Sequence, residues 1–179
     1  WEINKIKFTS YVKGRIGYYG LRADEFIDEG PYLITGTDFK DGRIDWKTCV
    51  YVDEERYSQD TYIQLKKHDI LITKDGTIGK IAYVDDVPLP ATLNTGVFVV
   101  RPIDEKYIPL FLYYILQSNY FIKFITRIKA GSTISHLYQK DFKFFHFPVP
   151  LIPEQKKIAS ILSNGSLGVP LETFSSGCA

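Results

Sequence analysis

The chain has 179 residues, 45% apolar and 24% charged, which suits one domain with a core of its own and excludes a low-complexity or disordered chain. Two cysteines, Cys49 and Cys178, stand far apart without zinc-ligand spacing, so neither a metal site nor a disulfide between them is expected. The net charge of +1 does not announce a nucleic acid, no secretory leader is legible, and the longest apolar run, Tyr107–Leu116, is too short to cross a bilayer, so a cytoplasmic protein with no membrane partner is expected.

Trp1–Val12 alternates weakly and reads as a strand or a short helix, and Arg15–Gly20 is a loop of glycine and tyrosine. Tyr32–Thr35 is a short apolar run before Gly36, and Asp41-Gly42 signals a hairpin. Tyr57–Leu65 leads to Asp69–Thr73, a β-branched strand pattern. A turn over Lys74–Lys80 with its own Asp-Gly step follows, then a return strand over Ile81–Val84 and a third strong strand over Gly96–Val100. The period then changes. Phe111, Ile115, Ile122 and Ile125 recur at near-helical spacing, which predicts one or two helices within Ile108–Ile128. Gly131-Ser132-Thr133 breaks the pattern, and Phe142–Phe147 reads as a final aromatic strand ended by Pro148 and Pro150. Pro153 and Glu154 suit the first turn of a helix whose apolar face is Ile158, Ile161 and Leu162. Strands first and helices late predict an α+β fold: a twisted, largely antiparallel β-sheet with hairpins and late helices packed on it.

Charge is distributed unevenly. Residues 1–22 carry five basic side chains and one acidic, residues 23–60 four basic and eleven acidic, and residues 121–147 five basic and one acidic. A fold that joins the first and last of these segments would build one basic face. Enzymatic signatures are sparse. The sequence contains no G-x-S-x-G elbow, no P-loop and no Gly-rich fingerprint for a nucleotide or methyl donor, and no cofactor is expected. Ser135 and His136 are adjacent, so in a strand their side chains would diverge. Asp141 with Glu154-Gln155-Lys156 loosely fits the acidic-plus-E-x-K pattern of Mg²⁺-dependent nucleases, but the opening of a helix explains Glu154 and Lys156 equally well. Lys74–Lys80 lacks Walker spacing and lies between two strands, as a hairpin turn does.

Four blocks in order carry a resemblance that runs from Trp1 to about Leu162. They are Gly14-Arg15-Ile16-Gly17-Tyr18-Tyr19-Gly20-Leu21; Leu33-Ile34-Thr35-Gly36-Thr37-Asp38 through Asp41-Gly42-Arg43-Ile44-Asp45-Trp46; His68 through Lys80; and Gly131-Ser132-Thr133 followed by Phe147-Pro148-Val149-Pro150-Leu151-Ile152-Pro153-Glu154-Gln155-Lys156-Lys157-Ile158-Ala159. Together they resemble the specificity subunits of type I restriction–modification systems (the HsdS family). The resemblance implies a non-catalytic DNA target-recognition domain that reads one half of a bipartite site. It also implies long spacer helices that dock methyltransferase subunits and, through them, the restriction subunit. On that basis residues 1–150 are the recognition domain, 151–163 the start of a spacer helix and 164–179 an atypical tail, since Asn164-Gly165 is a helix stop and Ser166–Ala179 looks unlike the family. The chain has no methionine, so a piece of a longer protein is expected.

Given duplex DNA as partner, Lys74, Lys80 and Lys129 are expected at phosphates, with Thr77 at the tip of the same turn as Lys74 and Lys80. Arg15, Tyr18, Tyr19 and Arg22 are expected at base edges, and Ser132, Thr133 and His136 form a second loop candidate. Two other readings stay open: the nuclease of Asp141, Glu154 and Lys156, and a protein-interaction module without DNA contact, which the near-neutral charge favours.

Overall fold

In the computed structural model the described residues are 1–17, 20–130 and 136–165. The opening segment is both strand and helix: β1 (Glu2–Lys5), α1 (Ile6–Thr9) and β2 (Ser10–Gly14). β3 (Ile27–Ile34), the hairpin β4 (Phe39–Lys40) and β5 (Arg43–Ile44), β6 (Val50–Tyr51) and α2 (Glu54–Ser58) come next. β7 (Ile70–Thr73), β8 (Ile81–Tyr83), β9 (Ala91–Leu93) and β10 (Val97–Pro102) complete the strand-rich part. α3 (Pro109–Gln117), α4 (Asn119–Ala130), α5 (Gln139–Phe142), β11 (His146–Val149) and α6 (Ile152–Gly165) follow. The α+β expectation therefore holds.

A four-stranded sheet of order β2-β10-β7-β8 lies at the centre, antiparallel throughout. Its two strongest strands, Ile-Leu-Ile-Thr and Val-Phe-Val-Val, do not alternate apolar with polar, because both faces are covered. Ile70, Ile72, Phe98 and Val100 face a core shared with Tyr107, Phe111, Phe121, Phe142 and Phe147 of the late segments. Their neighbours Leu71, Val97 and Val99 face a second core with Ile34, Phe39, Ile63 and Leu93. A period of two with both faces apolar is what a sheet between two layers requires. That second layer holds a small sheet of order β6-β3-β9, where β3–β9 is the one parallel pairing among the described strands.

The late aromatic segment differs from expectation. Phe142 ends the helical turn α5 instead of opening a strand, and only His146–Val149 pairs with β1. Phe142 and Phe145 are three residues apart and both buried, while Phe144 is 55% exposed. That is helical-turn spacing, and the backbone bonds Phe142 N–Tyr138 O (3.0 Å) and Phe145 N–Phe142 O (2.9 Å) follow it. Gln155 fixes the start of α6. Its amide donates to the carbonyls of Lys106 and Pro150, both at 2.8 Å, and accepts from Ile108 N at 2.9 Å. Among the described residues no helix is long and apolar enough to cross a membrane.

Candidate nucleic-acid interface

Loops distant in sequence meet at the end of the central sheet where β7 turns into β8. The turn over Lys74–Lys80 is organised by a residue that sequence reasoning missed, Thr73. Its hydroxyl donates to Thr77 O and accepts from Lys80 N at 2.9 Å, and its carbonyl accepts from Gly79 N at 2.9 Å. Gly79 has φ +84 and would bring a Cβ to 3.5 Å from Ile125 of α4, so a glycine is needed there on conformational grounds. Thr73 is buried at 1% exposure, and its place at the end of an Ile-Leu-Ile run made it look like one more β-branched strand residue.

Three other segments dock on this turn. Lys74 N donates to Gly96 O at 2.9 Å, and Leu137 N donates to Lys74 O at 2.9 Å. The ammonium of Lys80 donates to Gly36 O at 3.2 Å. Asn94, two residues before Gly96, clamps Leu21: its side-chain oxygen accepts from Leu21 N at 3.2 Å and its amide donates to Leu21 O at 3.4 Å. An Asn-Thr-Gly step between strands was the available signal for Asn94, and it reads as an ordinary turn.

The expected residues fall into three groups. Lys74, Thr77, Lys80 and His136 gather at the β7–β8 turn. Lys129 lies across a cleft of about 530 Å³ that Lys80 also lines, with Ile78, Phe121 and Ile125 among its apolar walls. Thr77, Lys129 and His136 are exposed, while Lys74 and Lys80 are half-buried. The two lysines are not without partners, as their place in a turn suggested. Lys74 holds its ammonium 5.4 Å over the Phe98 ring and Lys80 is tied to Gly36, which orders both side chains. His136 pairs through Nδ1 with the carboxylate of Asp75. Arg22 is exposed beyond the Asn94 clamp, and its backbone N–H donates to Glu25 at 3.0 Å. Tyr18, Tyr19, Ser132 and Thr133 lie outside the described residues.

Arg15 forms the third group and corrects the expectation. It is 2% exposed, with Nε donating to Leu93 O at 2.8 Å, Nη1 to Gln59 at 3.0 Å and Nη2 to Thr92 Oγ1 at 3.2 Å. Burial pushes its pKa below that of a free guanidinium, and the Asp60 carboxylate offsets part of that. A guanidinium spent on protein acceptors is a brace between β9 and the α2 region, not a base reader. The nuclease residues are not assembled. Asp141 and Glu154 belong to α5 and α6, at opposite ends of β11, a strand that alone spans about 10 Å. Among the described residues no three His, Cys, Asp or Glu side chains are grouped to hold a metal ion.

Residues 12–169 match the family described as the type I restriction modification DNA specificity domain. The chain is similar to the type I restriction enzyme MjaVIII specificity subunit of Methanocaldococcus jannaschii, at 27% identity over 92% of this chain and 39% of that one. It is also similar to the putative MjaX specificity subunit of the same organism, at 30% identity over the same shares. The chain thus spans about 39% of the length of these relatives. Among solved structures, a chain of a type I R-M system aligns with a TM-score of 0.67 at 18% identity, covering 92% of this chain and 37% of that one. The HsdS subunit from Thermoanaerobacter tengcongensis aligns at 0.63 and 16% identity, covering 92% and 36%. At those identities the two structures show a shared fold.

Proposed function

The chain belongs to the family of type I restriction–modification DNA specificity domains, and from that premise we propose that the loop cluster around the β7–β8 turn reads one half of a bipartite duplex site. One observation carries the placement. Lys74, Lys80, Lys129 and His136, together with Arg22 beside the clamped Leu21, come to one end of the central sheet from four separate stretches of sequence. The two basic segments of the sequence, at its start and within 121–147, both contribute. Ordered lysines on a tight turn suit phosphates, because a duplex presents a fixed spacing of negative charge and gains from counterion release. An exposed arginine on a glycine-punctuated loop suits a base edge, where its forked donors match guanine O6 and N7.

The chain's part is recognition, with methyl transfer and cleavage left to other subunits of a type I complex. A separate observation suits partner docking away from the DNA face. On the β1–β11–α6 side, Ile3 is 57% exposed, Leu151 79% and Ile161 61%. We assign that side to contact with the remainder of a specificity subunit and its modification subunits.

Selection from random duplex DNA, repeated over a range of salt, tests the proposal. The parent is expected to enrich one short contiguous motif. Lys74→Ala and Lys80→Ala should each reduce the log–log salt slope by about 0.9 and leave the motif intact. Arg22→Ala should relax one motif position, at a cost of about 1–3 kcal/mol on the preferred site, and leave the slope nearly unchanged. If these variants fold and bind as the parent does, the DNA face lies elsewhere.

A further inference from the structure

The β7–β8 turn carries a carboxylate at the centre of a surface assigned to a polyanion. Asp75 lies between Lys74 and Gly76 at the turn, and its side chain remains 36% exposed. As an isolated charge it would repel phosphates. It is not isolated, because it bonds Nδ1 of His136, whose side chain is 53% exposed. The backbone reinforces the pairing: Leu137 N, the next residue along, donates to Lys74 O at 2.9 Å. His136 and Leu137 are thus pinned to the turn by one side-chain and one backbone bond.

We propose that Asp75 is a positioning residue for DNA recognition, holding the His136 ring by Nδ1 so that Nε2 is presented to the duplex. This rests on the reading of the face as the DNA surface. The ring has two nitrogens with distinct duties. A carboxylate on Nδ1 fixes the ring's orientation and its tautomer, leaving Nε2 as the atom for an outside partner. No bond to Nε2 is formed among the described residues.

Asp75 brings a carboxylate to a surface proposed for phosphates, and its contact with His136 Nδ1 turns that charge into a support for the ring. Lys74 lies on the same turn, and the Tyr138 ring lies 6.1 Å from that of His136 with the Lys140 ammonium 5.4 Å above it.

The test selects from random duplex DNA with the 179-residue chain and its variants at fixed salt and pH, and measures binding of each to the parent's selected duplex and to a scrambled one. Asp75→Ala and His136→Gln should relax the same position of the selected motif, Asp75→Glu, which keeps the carboxylate, should restore it, and the double variant should relax it no further than either single one. Asp75→Ala binding all sequences more tightly with the motif unchanged would make Asp75 only a repulsive turn residue and overturn the proposal. So would His136→Gln selecting the parent's motif. A parent that selects no motif sinks the reading of the face, and this inference with it.

Discussion

At the residue scale, charge type alone did not separate braces from contacts. Arg15 and Arg22 flank the same loop and look equivalent in sequence, yet Arg15 is enclosed and Arg22 is exposed. The difference is set 78 positions away, by the Leu93 carbonyl that accepts from Arg15 Nε. Arg15→Ala leaves buried acceptors on Leu93 and Thr92 unsatisfied, so it should destabilise the fold by about 1–3 kcal/mol, measured by denaturant unfolding, with the selected DNA motif unchanged. An unchanged midpoint together with a relaxed motif would return Arg15 to the DNA face. Cys49 is a second residue with a definite expectation. Burial, then the Asp38 and Asp45 carboxylates, push its thiol from 9.0 up to about 12. The folded state therefore favours the protonated thiol, a contribution fully present below pH 9 and lost as pH rises toward 12. At pH 8 alkylation of Cys49, followed by peptide mapping, should be slow in the native chain and fast in denaturant. Equal rates in the two conditions would mean that the site opens readily.

At the element scale, the β4–β5 hairpin shows how a turn becomes a structural joint. Gly42 has φ +76, and a Cβ there would fall 2.2 Å from the Tyr113 hydroxyl of α3. Its carbonyl accepts from Tyr83 N at 2.9 Å and from Arg43 at 2.9 Å, which ties the hairpin to β8. Gly42→Ala meets both the conformational and the steric obstacle, so it should cost more than about 1 kcal/mol. A thermal melt matching the parent's would show that the hairpin can leave α3 without loss. The Asp41-Gly42 hairpin was legible because its turn chemistry is local, and so was the β7–β8 hairpin. β7 and β10 were legible as strands because their β-branched runs are dense. What could not be read was set by tertiary contact. Phe142–Phe147 is as aromatic as a strand, but Phe142 and Phe145 are buried together from a helical turn, and only the following residues find β1 as a partner. The clamp by Asn94 and the latch by Thr73 use common residues whose roles appear only when their partners are brought close.

For the whole molecule, the central sheet is buried on both faces, and the loops proposed to read DNA gather at one end of it. The helical layer and the small-sheet layer both reach that end, through Lys129 in the last turn of α4 and through Gly36 after β3. Such an architecture keeps the scaffold fixed while the loops vary, which suits a domain whose task is to tell one DNA sequence from another. The exposed apolar side chains Ile3, Leu151 and Ile161 lie outside the elements of that loop cluster, which suits the proposed separation of partner docking from DNA contact. Because the chain spans about 39% of the relatives it matches, a full-length relative has room for a second domain of this size. The most direct measurement is a graft. Glu2–Val149 replaces one recognition domain of a two-domain specificity subunit, and the methylation target of the reconstituted complex is read across a genome. Change in one half of the split target, with the other half and the spacing retained, is the expected result. A stably folded complex in which both halves change, or neither does, would contradict the assignment of this chain as the reader of a single half-site.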